Sequence, residues 1–308
     1  MTDAHALLSG LRLPVVAAPM FLVSGPELVI AASTAGIVGS FPAPNCRTLD
    51  ELDRWMGTIS DGVAGAPWAL NLVTHRTNER LADDLRLVAE HQPPIVITAL
   101  GSPRPVMETV KAYGGIVIAD VVDLALARKA VAAGVDGLAC VSAGAGGHTG
   151  HLSPFAFVSA VREIFDGIVT VGGGIADGHG VAGAIAAGAD LVYMGTRFLA
   201  TAESMAEGDY KQMIVDHGPD DLVVSAGITG TAASWLRPSL VANGLDPDAL
   251  VHEGGRSYSS LDAPQKKWKD LWAAGQGLQT IHAVQPVAEV VADLEKEFCA
   301  ASARLAAY

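Results

Sequence analysis

The chain has 308 residues, 50% of them hydrophobic and 17% charged, with a formal net charge of -13. So apolar a chain folds around a sizeable core and is not disordered, and its acidity repels the phosphates of nucleic acids and acidic lipids. The three cysteines, Cys46, Cys140 and Cys299, stand far apart without metal or redox spacing, and no apolar run approaches the ~18 residues of a membrane span. With Asp3 and His5 near the N-terminus and no basic leader, a soluble, unprocessed cytoplasmic protein is expected.

The first apolar run, Leu13 to Ala18, stops at Pro19 and Met20, and Gly25-Pro26-Glu27 then opens a helical pattern. A second strand is predicted over Ile37 to Phe41, followed by a helix from Thr48 carrying Leu49, Leu52, Trp55 and Ile59. The third is Trp68 to Val73, with Asn71 near its end and His75 just beyond. Ile95 to Leu100 and Ile116 to Ala119 follow. Gly137 to Val141, Ile168 to Val171 and Leu191 to Met194 complete a set of eight, each of these three preceded by a helical segment ending in a short glycine turn such as Ala187-Gly188.

Eight near-continuous apolar strands alternating with helices predict a closed (β/α)8 TIM barrel rather than an open doubly wound sheet. The length suits a barrel of about 250 residues plus an elaboration. The glycine- and proline-containing stretch after the last strand reads as a smaller, mainly helical inserted cap domain. The division is residues 1–204 and 276–308 for the barrel and 205–275 for the cap. Val287, Val290, Val291 and Leu294 then place a returning helix in the outer ring. Within the cap, Thr229, Trp235 and Arg237 either close over a substrate or pack the domain interface.

The unusual residues lie at strand carboxyl ends, where barrels place their chemistry. Gly172-Gly173-Gly174 follows the seventh strand and Gly195-Thr196-Arg197 the eighth, the usual phosphate position. Glycines without Cβ let backbone N–H groups approach an anion, a helix N-terminus adds positive charge, and the Thr196 hydroxyl can donate. The competing reading is a tight turn with Asp177 as helix cap and no ligand. The spacing is not the G-x-G-x-x-G of a dinucleotide fold.

After the sixth strand, Ala143 to Gly150 sets His148 among glycines that let an imidazole stand in open space rather than be packed by its neighbours. A structural loop histidine near the Ser153 helix start is the alternative. His148 and His151 lack a third ligand nearby, so no metal is expected. Cys140 falls inside the strand pattern, which argues against a cysteine nucleophile in the following loop.

Taken together, Ala18-Pro19-Met20, Asn71-Leu72, Gly146-Gly147-His148-x-Gly150, Val171 to Gly178, Met194 to Phe198 and Ala274-Gly275-Gln276-Gly277 resemble the nitronate monooxygenases, formerly 2-nitropropane dioxygenases, and the related flavin-dependent enoyl-ACP reductases. The resemblance covers most of the chain. It implies non-covalent FMN at the barrel mouth, with Pro19, Met20 and Asn71 lining the ring and Gly173, Gly174, Gly195 and Thr196 holding the phosphate. It also puts His148 on the catalytic histidine and Gln276 on a cofactor-side motif. Two features depart from the family. Val141-Ser142-Ala143-Gly144 stands where Gln-Gly-x-Glu is frequent, and Ala119-Asp120 where several relatives offer a lysine, leaving backbone N–H groups, Arg76 or Arg197 to stabilise a reduced flavin.

The expected activity is FMN-dependent oxidation of a nitronate, or of its parent nitroalkane, by O2. The alternative is an NAD(P)H-dependent flavin reductase acting on a quinone or enoyl thioester, and a non-catalytic flavin-storage or sensing barrel is a third reading. Partners are therefore small molecules, with no nucleic acid and no membrane; the oligomeric state stays open.

Overall fold

The computed structural model describes residues 8–250 and 269–308. Asp3, His5 and residues 251–268 of the expected cap lie outside the described residues.

The barrel strands are β1 (Val15–Ala17), β2 (Val38–Pro42), β3 (Trp68–Val73), β4 (Ile95–Ala99), β5 (Ile116–Val121), β6 (Gly137–Val141), β8 (Ile168–Gly172) and β9 (Leu191–Met194). They close in the order β1-β2-β3-β4-β5-β6-β8-β9, every neighbour parallel, and β9 pairs back onto β1 through Val15↔Val192 and Ala17↔Met194. The expected TIM barrel is therefore present, with strand limits within two residues of those read from the sequence.

Helices follow the strands: α1 (Pro26–Thr34), α2 (Leu49–Gly62), α3 (Leu81–His91), α4 (Arg104–Ala112), α5 (Leu124–Val131), α6 (Pro154–Arg162) and α7 (Gly178–Ala186). Four begin at a side-chain cap: Thr48, Asp123, Ser153 and Asp177 accept from the backbone N–H of Glu51, Leu126, Ala156 and Gly180. After the short α8 (Thr196–Leu199), the outer ring is completed by the last helix, α11 (Val287–Leu305), which packs on α7 and α1. It buries Val287, Val290, Val291 and Leu294, the residues whose spacing predicted it.

Each strand serves two cores, because successive side chains point to opposite faces. Outward residues such as Leu70, Val96, Val117, Leu138 and Val169 meet helix residues such as Leu52, Val88, Val106, Phe157 and Val181. Inward residues such as Val16, Val38, Ala69, Ile97, Ile118, Ala139, Ile168 and Leu191 fill the barrel. Each fully buried Val, Leu or Ile contributes about 1.5–3 kcal/mol. Stepping two residues toward the carboxyl ends turns this inward face polar: Ser40, Asn71, Asp120, Thr170 and Tyr193. That change marks the mouth.

The segment after β9 carries α9 (Gly208–Asp216), β10 (Leu222–Ser225), β11 (Ala233–Leu236) and α10 (Arg237–Ala242). A two-residue strand, β7 (Gly147–His148), lies in the loop after β6 and joins them as a second sheet, β10-β11-β7. This sheet is additional to the helical elements expected for 205–275.

Candidate active site

A cleft of about 1510 Å³ opens at the carboxyl end of the barrel, and Pro19, Met20, Asn71, His148, Gly173, Gly174, Gly195 and Thr196 all line it. Gln276 is absent from that lining, but its side chain stands beside the Gly144 and Gly174 loops, and its backbone N–H donates to Gly144 O at 2.9 Å.

Pro19 and Met20 sit on a loop fixed from below. Asn45 accepts from Leu22 N at 2.8 Å and donates to Met20 O and Ser24 O at 3.1 and 2.7 Å, while Ser24 Oγ accepts from Met20 N at 3.0 Å. These bonds hold Leu22 at φ 62, a conformation that costs a branched residue energy and persists only when its surroundings enforce it.

The glycine loops differ in what demands each glycine. A Cβ on Gly173 would stand 2.5 Å from Ala143 O, so backbone packing requires that glycine. Gly174, at φ +70, would meet nothing closer than Gln276 Cβ at 3.6 Å, and Gly195 nothing closer than Met20 Sδ at 3.5 Å. The space beside those two is open. Thr196 Oγ1 accepts from Gly275 N at 2.9 Å, which leaves its own proton to donate. The turn reading of this loop is also realised. Asp177 Oδ1 accepts from Gly180 N at 2.6 Å and Glu297 Oε2 from Gly178 N at 2.8 Å, so carboxylates already occupy the first turn of α7. Any anion here is held by the loops rather than by that helix end.

The Ala274-Gly275-Gln276-Gly277 motif ties three loops together. A Cβ on Gly275 would lie 2.7 Å from Gly144 O, and one on Gly277 2.5 Å from Ala176 Cβ. Such close approach gives these glycines a packing role beside any ligand role.

His148 is half-buried, and its backbone pairs in β7 with Ala233. The same loop is fastened by Thr149, whose N–H donates to Ala232 O at 3.1 Å and whose hydroxyl donates to Ser142 O at 3.1 Å. The histidine is thus carried by a sheet, and Ser153 caps α6 on its own. His75 also lines the cleft, from the loop after β3, with Nδ1 2.8 Å from Thr77 Oγ1.

Two floor residues escaped the sequence reading of the site, Asp120 and Tyr193. Asp120 Oδ1 and the Tyr193 hydroxyl are buried without a hydrogen bond of ordinary geometry, yet the groups act on each other. Burial pushes the Asp120 carboxyl up to about 7, opposed by the Tyr193 hydroxyl, and burial with the nearby carboxylate drives the Tyr193 phenol well above its usual range. The signal was an acid in the apolar strand IVIADV on the inward parity of Ile116 and Ile118.

Arg197 does not serve the cleft. It is buried in a separate hollow of about 510 Å³ between the loop after β8, residues 280–285 and α11, where it donates to Gln285 Oε1 at 2.6 Å and faces Asp293 and Glu297. Arg76 is exposed and does not line the cleft either. In the cap, Trp235 is fully buried with Ile228, Leu240 and Leu271, and Arg237 pairs with Asp248 at 2.9 Å. Neither they nor Thr229 are among the described residues that line the cleft, and Trp235 packs inside the cap. The cleft wall there is Tyr210 stacked on Trp272, ring centroids 4.9 Å apart. Cys46 and Cys140 are buried, and burial pushes both thiols up to about 12, so neither is a nucleophile near neutrality.

A parallel barrel with glycine loops, a histidine and a buried acid gathered in one cleft at its carboxyl end defines a TIM-barrel enzyme. The nitronate monooxygenase family model matches residues 73–297, and the chain belongs to that family of oxidoreductases. A nitronate monooxygenase of Paraburkholderia phytofirmans is 27% identical over 96% of this chain and 95% of its own. The (3aS,4S,5R,7aS)-5-hydroxy-7a-methyl-1-oxo-octahydro-1H-indene-4-carboxyl-CoA dehydrogenase of Rhodococcus jostii is 30% identical over 80% of this chain, which spans 67% of that protein. Among solved structures, FabK from Thermotoga maritima superposes with a TM-score of 0.82 at 27% identity, covering 100% of this chain and 99% of its own. It supplies the expected relation to the enoyl-ACP reductases.

Proposed function

We propose that this protein is an FMN-dependent oxidoreductase that oxidises alkyl nitronates with O2. The observation that carries the reading is the meeting, in one cleft, of His148 with the Gly173-Gly174 and Gly195-Thr196 loops. The residues present fit the cofactor: there is open space beside Gly174 and Gly195, a hydroxyl with a proton to give at Thr196, and buried polar oxygens on the floor. Gly173, Gly174, Gly195 and Thr196 would hold the phosphate, with Pro19, Met20 and Asn71 against the ring and Gln276 bracing the loops. A bound flavin supplies the electron transfer between substrate and O2.

His148 positions the nitronate, or takes the proton from the α-carbon of a neutral nitroalkane as general base. The glycines around it leave the imidazole room to reach the substrate, and its strand pairing fixes its direction. The division we propose is 1–204 and 276–308 for the FMN-binding barrel and 205–275 for the cap. In its described part, Tyr210 and Trp272 shield the cleft from water. The cytoplasmic setting rests on the unpaired thiols.

A second reading, an NAD(P)H-dependent flavin reductase acting on a quinone or enoyl thioester, is favoured by the 30% identity to a carboxyl-CoA dehydrogenase and by a cleft larger than a small nitronate requires. Purified protein should be yellow and release FMN rather than FAD on denaturation. Anaerobic addition of NAD(P)H then discriminates: a flavin that stays oxidised supports the nitronate reading, and rapid bleaching supports the reductase.

A further inference from the structure

The barrel floor holds polar groups that the proposed phosphate loops and histidine leave unused. Asp120, Thr170 and Tyr193 occupy the inward parity of β5, β8 and β9, one step above Ile118, Ile168 and Leu191. Each carries a buried oxygen with no hydrogen bond of ordinary geometry: Asp120 Oδ1, Thr170 Oγ1 and Tyr193 OH. Folded proteins rarely leave such groups without a good partner, and Asp120 and Tyr193 have only each other, in poor geometry, at a place where a ligand could complete their bonding. Asp120 and Tyr193 line the cleft.

We propose that Asp120 binds the ligand of this cleft as a neutral carboxylic acid, donating a hydrogen bond to an acceptor atom of the flat heterocycle that lies over the barrel. This rests on the FMN reading above. Its physical basis is that Asp120, half-open to the cleft with Oδ1 already buried, would as a carboxylate be shut off from water under a bound heterocycle with no cation to compensate it. The neighbouring inward residues Ile97 and Ala139 are apolar, no charged side chain among the described residues acts on Asp120, and Tyr193 is the titratable group that faces it. A neutral acid, by contrast, has a proton to offer an acceptor such as a ring carbonyl or imine nitrogen. Burial holds that proton up to about pH 7, so the donor is present in neutral solution and is lost in mild alkali.

The test is the dissociation constant of FMN, by flavin fluorescence quenching between pH 6 and 8.5, in wild type, Asp120→Asn and Tyr193→Phe. Asp120→Asn keeps a permanent donor of the same shape and removes the titration. Comparing variants at each pH cancels the ionisation of the FMN phosphate and of every other group the three proteins share. Wild type should weaken by about tenfold relative to Asp120→Asn across this range. Tyr193→Phe should retain the wild-type transition but move it to higher pH, because the hydroxyl holds the Asp120 pKa down. That shift also serves as the check if Asp120→Asn does not fold. Superimposable profiles for wild type and Asp120→Asn, or a Tyr193→Phe transition that does not move upward, overturn the inference alone. Absence of FMN binding by wild type at every pH overturns the functional reading and the inference with it.

Discussion

His148 stands opposite Ala233 in antiparallel register, so the candidate base on the loop after β6 is carried by a strand of the segment beyond the barrel. Ser234 pairs with Gly147 in the same ladder. The imidazole is therefore aimed by two parts of the chain, and a change of side chain alone leaves that pairing intact. His148→Asn should lose about 10²- to 10⁴-fold in kcat/KM with a neutral nitroalkane, the usual range for removing a general base. Preformed nitronate has already lost its proton, so its turnover should fall much less, and FMN content should not change. His75→Asn, at the same mouth, is the control. Unchanged nitroalkane turnover in His148→Asn rejects the base role, and a selective loss in His75→Asn transfers it to the loop after β3.

The phosphate loops offer a separation of packing from binding. Gly195→Ala meets only ordinary contacts with Met20 and Ala18, so the variant should fold and yet release FMN, because its methyl occupies the ligand's approach. Thr196→Ala should weaken FMN retention by about 1 kcal/mol, the worth of one hydrogen bond. Gly174→Val should also lose FMN, with added backbone strain from φ +70. Circular dichroism together with flavin content of the three purified variants checks this. Wild-type FMN retention in Gly195→Ala would count against the cradle.

Asp120 should leave a signature on the stability of the ligand-free protein. Its folded pKa is raised to about 7 from 3.8, so between those values the unfolded chain has released a proton that the fold retains. Stability contributed by that proton falls as pH rises through the window and is flat above it. Asp120→Asn carries no such penalty. Its urea midpoint should exceed that of wild type at pH 8, by a few kcal/mol at most in stability, and the gap should narrow toward pH 5.5. A gap independent of pH would mean that Asp120 does not titrate there.

The barrel was readable because its strands are largely apolar on both faces and most end at or near glycine or proline, and because Val287, Val290, Val291 and Leu294 keep helical spacing. The residues that line the cleft were readable where glycine or an isolated histidine marks a strand end. Asp120 and Tyr193 were harder, since their meaning depends on which parity faces the barrel axis, and a strand buried on both faces has no alternation to reveal it. The β10-β11-β7 sheet escaped for another reason. β7 has only two residues, and its pairing with β11 joins positions far apart in the chain. Arg197 belongs to a glycine motif in sequence but turns its side chain away from the cleft toward Gln285 and α11, which spacing alone does not encode.

The most direct measurement of the proposed activity is oxygen uptake by the FMN-loaded protein on adding preformed propyl-2-nitronate, without NADH or NADPH. Consumption of O2 that depends on nitronate concentration, is unaffected by either nicotinamide and is lost in FMN-depleted Gly195→Ala is the predicted result. No uptake with nitronate, together with bleaching of the flavin by NADH or NADPH under anaerobic conditions, would contradict the nitronate reading and assign the cleft to a flavin reductase.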